Sequence, residues 1–199
     1  MTIHLIRHAE TVFNASRVVQ PAETPLSERG RLQAEQLATR LATAGITRIL
    51  SSDLARAVAT AEAIGRSTGA TLGLDPDLQE RNFGAVRGTP YAELREDIFA
   101  AQYVPPGGES WAVFHARVDR VWDRVVKRER LGDGLAIVTH GLVCWSIVSR
   151  HLEPGHGEPP MRFGNTGVTV IDGPAPWQVR LLDCTAHLDE RTRVEGARA

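Results

Sequence analysis

The sequence predicts an α/β fold: a three-layer α/β/α sandwich on a mainly parallel central sheet, with one antiparallel edge and a small lid insertion. Three observations lead to it. Short apolar runs alternate with longer stretches of helical periodicity, the pattern of successive βα units. Two of those runs, Ile3-His4-Leu5-Ile6 and Leu135-Ala136-Ile137-Val138, stop in the same way, at Arg7-His8 and at Thr139-His140-Gly141. Residues 167–171 and 177–182 form two further short runs close together near the end, as an antiparallel pair would.

Taken in order, the first strand spans about residues 2–7, and a loop rich in turn formers follows through Pro21 and Pro25. A helix then runs from about Ser27 to Ala44, with Ser27 as N-cap because its hydroxyl can take a free amide of the first turn. Thr47 to Ser51 reads as a second strand, Leu54 to about Ser67 as a helix, and Ala70 to Leu74 as another short strand. Between Asp75 and Gly108 the periodicity breaks up around Gly84, Gly88, Pro90, Pro105, Pro106 and Gly107, with one short helical candidate at about 91–101. Residues 80–110 are therefore expected to form a lid or substrate insertion. Val113, Phe114, Val118, Val121, Trp122 and Val125 recur at helical spacing, which predicts an amphipathic helix over 110–130 with its aromatic residues in the core. A strand at 135–139, a helix from Leu142 to Leu152 and the two edge strands complete the order, and the last dozen residues are expected to fray. With no internal repeat, residues 1–199 are expected to form one domain.

Composition narrows the function. A formal charge of −1 argues against bulk attraction to nucleic acid or an anionic membrane, so any anion site must be local. Lys127 is the only lysine, which nearly excludes Schiff-base or P-loop lysine chemistry, whereas the abundant arginines suit phosphate or carboxylate. Cys144 and Cys184 both lie in apolar segments and read as small buried hydrophobes of a reducing compartment. The amino terminus shows no secretory pattern, and no run approaches the ~20 apolar residues that span a bilayer. A cytoplasmic location is expected.

Ligands of an open α/β sheet bind outside the carboxyl ends of its strands, where His8 and His140 stand. Asp53 or Ser52 can cap a helix beginning at Leu54, placing Arg56 in a first turn whose amides and dipole favour an anion. Arg7 and Arg56 would then grip the oxygens of a phosphoryl group with parallel charge-assisted hydrogen bonds. Surrounding positive charge should lower a histidine pKa, leaving a neutral imidazole able to attack phosphorus. The leaving alkoxide needs a proton, and Glu80 on the irregular segment is a candidate acid. No metal ion or other cofactor is expected; His151, His156 and Glu158 are separated by Pro154 and Gly155 and read as solvated loop residues.

Five blocks in order resemble the histidine phosphatase superfamily of cofactor-dependent phosphoglycerate mutases and related acid phosphatases. They are Arg7-His8-Ala9-Glu10-Thr11 through Asn14, Thr24-Pro25-Leu26-Ser27-Glu28-Arg29-Gly30, Ser51-Ser52-Asp53-Leu54-Ala55-Arg56-Ala57, Glu80 through Gly88, and Val138-Thr139-His140-Gly141. The resemblance implies that His8 is the nucleophile that becomes phosphohistidine. Glu80 would protonate the leaving group and then activate water, and Arg7, Arg56 and His140 would stabilise the phosphoryl group in transfer. Asn14 and the backbone at Gly141 would bind the phosphate as well. Glu10 matches the signature but is expected only to orient a neighbouring arginine. The chain departs from the family pattern at Ala9, where glycine is usual, and at Gln20-Pro21 in the substrate loop.

These readings imply a metal-independent phosphomonoester hydrolase acting on a small phosphorylated substrate, because the chain is short for a mutase lid and Pro106-Gly107-Gly108-Glu109-Ser110 resembles the phosphatase branch. Two alternatives stand beside it: phosphoglycerate mutase-type transfer, and a catalytically inactive phosphate-binding module. If copies associate, a homodimer is the expected form.

Overall fold

The computed structural model describes residues 2–127, 134–153 and 162–193. Six strands form one sheet: β1 (Thr2–Arg7), β2 (Arg48–Ser51), β3 (Thr71–Leu74), β4 (Leu135–Thr139), β5 (Val168–Asp172) and β6 (Gln178–Cys184), in the order β3-β2-β4-β1-β5-β6. The pairs β2–β3, β2–β4 and β1–β4 are parallel, whereas β5 and β6 form the antiparallel edge on β1.

Alternation along the central strands distributes side chains to two cores, as the pleat requires. On β1, Ile3 and Leu5 point into one apolar cluster and Ile6 into the other; on β4, Leu135 and Ile137 oppose Ala136 and Val138 in the same way. Helices α4 (Trp111–Lys127) and α5 (Gly141–His151) cover the first face with Phe114, Val118, Val121, Val143 and Ile147. Helices α2 (Glu28–Leu41) and α3 (Ala55–Thr68) cover the second with Leu37, Leu41, Ala57, Ala61 and Ile64. A strand buried on both faces needs a continuous apolar run, which is what β4 carries.

Several expectations change in detail. Ser27 caps α2 by accepting from the Gly30 amide, but the helix ends at Leu41 rather than Ala44. Neither Ser52 nor Asp53 is the N-cap of α3; Leu54 takes that place, Ser52 Oγ accepts from the Leu54 amide, and the Asp53 carboxylate accepts from Gln79 instead. The helical candidate at 91–101 is a single 3-10 turn, Tyr91–Glu93, followed by bends and turns. Residues 12–15, expected as loop, form the one-turn helix α1 (Val12–Ala15), closed by a capping box between Thr11 and Asn14. Val113 is 57% exposed, off the buried face of α4. Of the last dozen residues, Leu188 and Thr192 are buried, and the Thr192 carbonyl accepts from Gln33, so the chain is tied down there; the remainder beyond 193 lies outside the described residues.

Candidate active site

Register places the two histidines side by side. Arg7 pairs with Thr139 at the carboxyl ends of β1 and β4, the His8 amide donates to the Thr139 carbonyl at 2.9 Å, and the rings of His8 and His140 lie 5.1 Å apart between centroids. The neighbouring strand β2 ends beside them, where the Ser52 amide donates to the Val138 carbonyl. Chain order reverses direction across β2-β4-β1, the switch point at which open α/β sheets bind ligands. There a cleft of about 260 Å³ opens, and Arg7, His8, Asn14, Arg56, Glu80 and Gly141 all line it. Of the residues singled out in the sequence, His140 alone is not on its wall; it is fully buried behind His8, with Nε2 2.8 Å from Ser52 Oγ.

The hydrogen bond of His8 fixes its tautomer. Nδ1 lies 2.7 Å from the Ala9 carbonyl, which can only accept, so Nδ1 carries the proton and Nε2 keeps its lone pair. Both His8 and His140 are held well below the ordinary histidine range, and burial is the larger cause, ahead of the positive charges of Arg56 and Arg7. The lowering expected from surrounding positive charge is present, with burial added as the larger cause. Burial also lowers Arg56, to about 10, which leaves it fully charged at neutral pH. Its Nη1 donates to the Pro21 and Ala22 carbonyls, and Arg7 Nη1 donates to the Phe163 carbonyl.

Buried polar atoms are normally paired. Among the described residues four buried side-chain polar atoms have no partner, and three of them are Arg7 Nε, Arg56 Nε and His140 Nδ1; the fourth is Nδ1 of His4. Leaving each unpaired costs about 1–3 kcal/mol, so the site is built to meet a strong acceptor. Asn14 adds a donor: its Oδ1 is taken by Thr11 and Asn165, which turns its amide NH2 to the remaining space.

Glu80 is suited to hold a proton. Its carboxyl is buried, which raises its pKa against the opposing pull of the Arg81 and Leu142 amides and of Arg56 and Arg7. The Leu142 amide belongs to the first turn of α5, so Glu80 also closes that helix end. The backbone carrying Glu80 is clamped by Arg117, which donates to the carbonyls of Asp77 at 2.7 Å, Gln79 at 2.8 Å and Glu80 at 3.4 Å. Glu109 completes the clamp, pairing with Arg117 and accepting from the Asn82 amide at 2.8 Å.

Sequence reading missed Arg117 as a support, because a helical arginine carries no spacing signal for the carbonyls it meets. It also missed Asn165, whose amide donates to the His8 carbonyl, and the cleft arginines Arg17, Arg87 and Arg162. The capping box Thr11-x-x-Asn14 was a legible signal for α1. Glu10 is buried, accepts from Ser27 Oγ and pairs with Arg29, as an orienting role requires. The methyl of Ala9 packs with Leu26, Ala34, Ala38 and Ala63 on the far side from the cleft, so the departure from glycine does not narrow the pocket. Among the described residues no group of three or more His, Cys, Asp or Glu is placed to hold a metal ion; His156 and Glu158 lie outside them. No helix of the described residues is long and apolar enough to cross a membrane.

Residues 3–182 match the family model of the histidine phosphatase superfamily (branch 1). A Yersinia pestis protein named "Probable phosphoglycerate mutase GpmB" is 32% identical over a 206-residue alignment covering 95% of each chain. Among solved structures, the α-ribazole phosphatase of Shigella flexneri superposes with a TM-score of 0.81 at 26% identity, covering 94% of this chain and 98% of that one. The mycobacterial glucosyl-3-phosphoglycerate phosphatase gives 0.77 at 26% identity, covering 92% and 98%.

Proposed function

Because the chain belongs to the histidine phosphatase superfamily, branch 1, we propose that it hydrolyses small phosphomonoesters without a metal, through a phosphohistidine formed on His8. The observation that carries this reading is the His8 tautomer: a buried, neutral imidazole whose Nδ1–H is committed to the Ala9 carbonyl and whose Nε2 lone pair is free beside two arginines. Nε2 attacks phosphorus as the ester P–O bond breaks, and the Glu80 carboxyl gives its proton to the departing oxygen. The Glu80 carboxylate then takes a proton from water, whose oxygen attacks phosphorus; the P–N bond breaks and phosphate leaves, restoring neutral His8. Arg7, Arg56, the Asn14 amide and the backbone at Gly141 neutralise and hold the phosphoryl oxygens, which is most of what phosphoryl transfer asks of a protein. His140 supports His8 from behind the cleft wall. Residues 80–110 serve as the wall that reads the leaving group.

The resemblance to a named mutase supports a second reading, in which the phosphoryl group returns to another hydroxyl. Hydrolysis of p-nitrophenyl phosphate in EDTA, by wild type and His8→Ala side by side, tests the proposal. Turnover that survives the chelator and is lost in the variant is expected; equal turnover in both removes His8 as nucleophile. In ¹⁸O-water, release of singly labelled phosphate marks hydrolysis, whereas label-free phosphate retained on the organic product marks the mutase.

A further inference from the structure

Resting on the reading that Arg7, His8 and Asn14 hold the phosphoryl group, we propose that Asp183 is a positioning residue for its transfer, fixing all three through the turn of residues 163–167. Asp183 stands on β6 and does not line the cleft; both of its carboxylate oxygens accept from the Gly164 amide, at 3.0 and 2.9 Å. The turn it holds closes on itself, the Gly167 amide donating to the Gly164 carbonyl at 3.0 Å. From there it reaches each of the three groups. The Phe163 carbonyl accepts from Arg7 Nη1, which sets the plane of a guanidinium whose Nε has no partner. Asn165 donates through Nδ2 to the His8 carbonyl at 3.0 Å and to Asn14 Oδ1 at 3.3 Å, so it holds the backbone of the nucleophile and orients the Asn14 amide. The Thr166 amide donates to the Arg7 carbonyl at 3.1 Å and the Arg7 amide to the Gly167 carbonyl at 3.3 Å, tying the turn to the end of β1.

Backbone strain is concentrated on this contact. Among the described residues three non-glycine residues have a left-handed backbone, and two of them are Thr166 at φ 56° and Asp183 at φ 44°. The register of β5 and β6 shifts between Val168 and Val170, and there the Asp183 amide donates to Thr169 Oγ1 at 3.0 Å. Irregularities of this kind re-aim side chains beside active sites. The carboxylate fits only because residue 167 is glycine: a methyl there would stand 1.9 Å from Asp183 Oδ1. Burial raises the Asp183 pKa to about 6, against the pull of the Gly164 amide and of the Arg7 charge, so the carboxylate is kept in place at a cost. Strain and desolvation gathered at one point behind a reaction centre mark a constraint set by function. A displacement of about 1 Å in a group that grips the phosphoryl can cost about a hundredfold in rate, so a distant anchor of this kind has a measurable effect.

The test measures Kd for vanadate and for inorganic phosphate by titration calorimetry, with kcat/KM for p-nitrophenyl phosphate and urea unfolding on the same preparations. Vanadate, five-coordinate when bound, stands in for the group in transfer. In Asp183→Ala vanadate is expected to bind about thirtyfold more weakly and phosphate only about threefold, because misplaced donors are felt most where charge spreads in the transition state; kcat/KM should fall with the vanadate affinity. Asp183→Asn, whose amide oxygen still accepts from Gly164, is expected to stay within about threefold of wild type. Gly167→Ala expels the carboxylate without removing it and should repeat the loss. The double variant should lose no more than about twofold beyond either single one, since both remove the same contact. Unchanged vanadate affinity in folded Asp183→Ala and Gly167→Ala overturns the positioning role, as does equal weakening of vanadate and phosphate in step with a lowered urea midpoint. Equal losses in Asp183→Asn and Asp183→Ala, or losses that multiply in the double variant, overturn the route through the turn. If Asp183→Ala does not fold, Gly167→Ala and Asp183→Asn decide by the same criteria. If wild type does not turn over p-nitrophenyl phosphate, the hydrolase reading fails by itself, and the vanadate and phosphate affinities still decide the role of Asp183.

Discussion

Replacing Glu80 by glutamine separates proton donation from every other property of the site. The amide is isosteric and its oxygen can still accept from the Leu142 amide at the start of α5, while Arg7, Arg56 and His8 are untouched. What disappears is one proton, and general acid catalysis contributes about 10²–10⁴-fold, or about 2.7–5.4 kcal/mol of barrier. That loss should appear in full for an alkyl phosphate, whose alkoxide cannot leave unprotonated. For p-nitrophenyl phosphate, whose leaving group needs no proton, formation of phosphohistidine should slow less than tenfold. Its hydrolysis, which needs Glu80 as base, should then lag, so rapid mixing should reveal a burst of about one equivalent of nitrophenolate. The pH profile supplies a second reading. Burial raises the Glu80 pKa, so the acid form persists above the ordinary carboxylate range, and alkyl phosphate turnover should fall as pH rises through that raised value. His8 is lowered, so no loss of activity should accompany a fall in pH through 6.5. In Glu80→Gln the high-pH limb should vanish. Equal slowing of both esters, with no burst and an unchanged pH limb, would refute Glu80 as the acid.

Other expectations follow from single features. Glu109→Ala removes the partner of Arg117 in a largely buried pair and should lower stability by about 1–3 kcal/mol in urea titrations, with kcat reduced more than KM is raised because the Glu80 backbone loosens. Gly30→Ala sets a methyl 1.9 Å from the Glu10 carbonyl, so a backbone shift costing about 1–3 kcal/mol should show in the denaturation midpoint. Asp183 is raised by burial to about 6, above its unfolded value of 3.8, so its favourable contribution exists at low pH and is lost as pH rises through about 6. His187 is lowered to about 4, so its contribution exists above 6.5 and is lost as pH falls toward 4. Asp183→Asn, with an amide oxygen still able to accept from Gly164, should therefore raise the melting temperature at pH 7 relative to wild type and lose that gain near pH 4.

The sheet and its helices were legible because their burial is patterned: β4 is buried throughout and apolar from Leu135 to Val138, and α2, α3 and α4 each show one apolar face. The residues at the carboxyl ends of β1, β4 and β2 were legible for the same reason, since strand ends fix where His8, His140 and Ser52 emerge. Apart from the family resemblance of its block, Glu80 could be picked out only as a carboxylate on an irregular segment, because its place depends on Arg117 and Glu109, more than twenty residues away in sequence. The stretch from 75 to 110 resisted reading in detail: it is held by side-chain bonds to carbonyls, from Arg81 and Arg117, which leave no periodicity. The order of causes behind the histidine shifts was hidden as well, because burial depth at a strand end is a property of the assembled layers.

The ladder joining residues 17–19 to 88–91 has a bearing on how such a chain can be re-engineered. Two segments about seventy residues apart, both lining the cleft, are joined antiparallel: the Tyr91 amide donates to the Arg17 carbonyl, the Val19 amide to Thr89 and the Gly88 amide to Val19. Transplanting either one from a relative would import half of a matched edge, with a register and a twist cut for a different counterpart. Selectivity in this scaffold should consequently be inherited in pairs: chimaeras exchanging both segments together should acquire the donor's preferences, and those exchanging one should lose definition at the mouth before they gain any new taste.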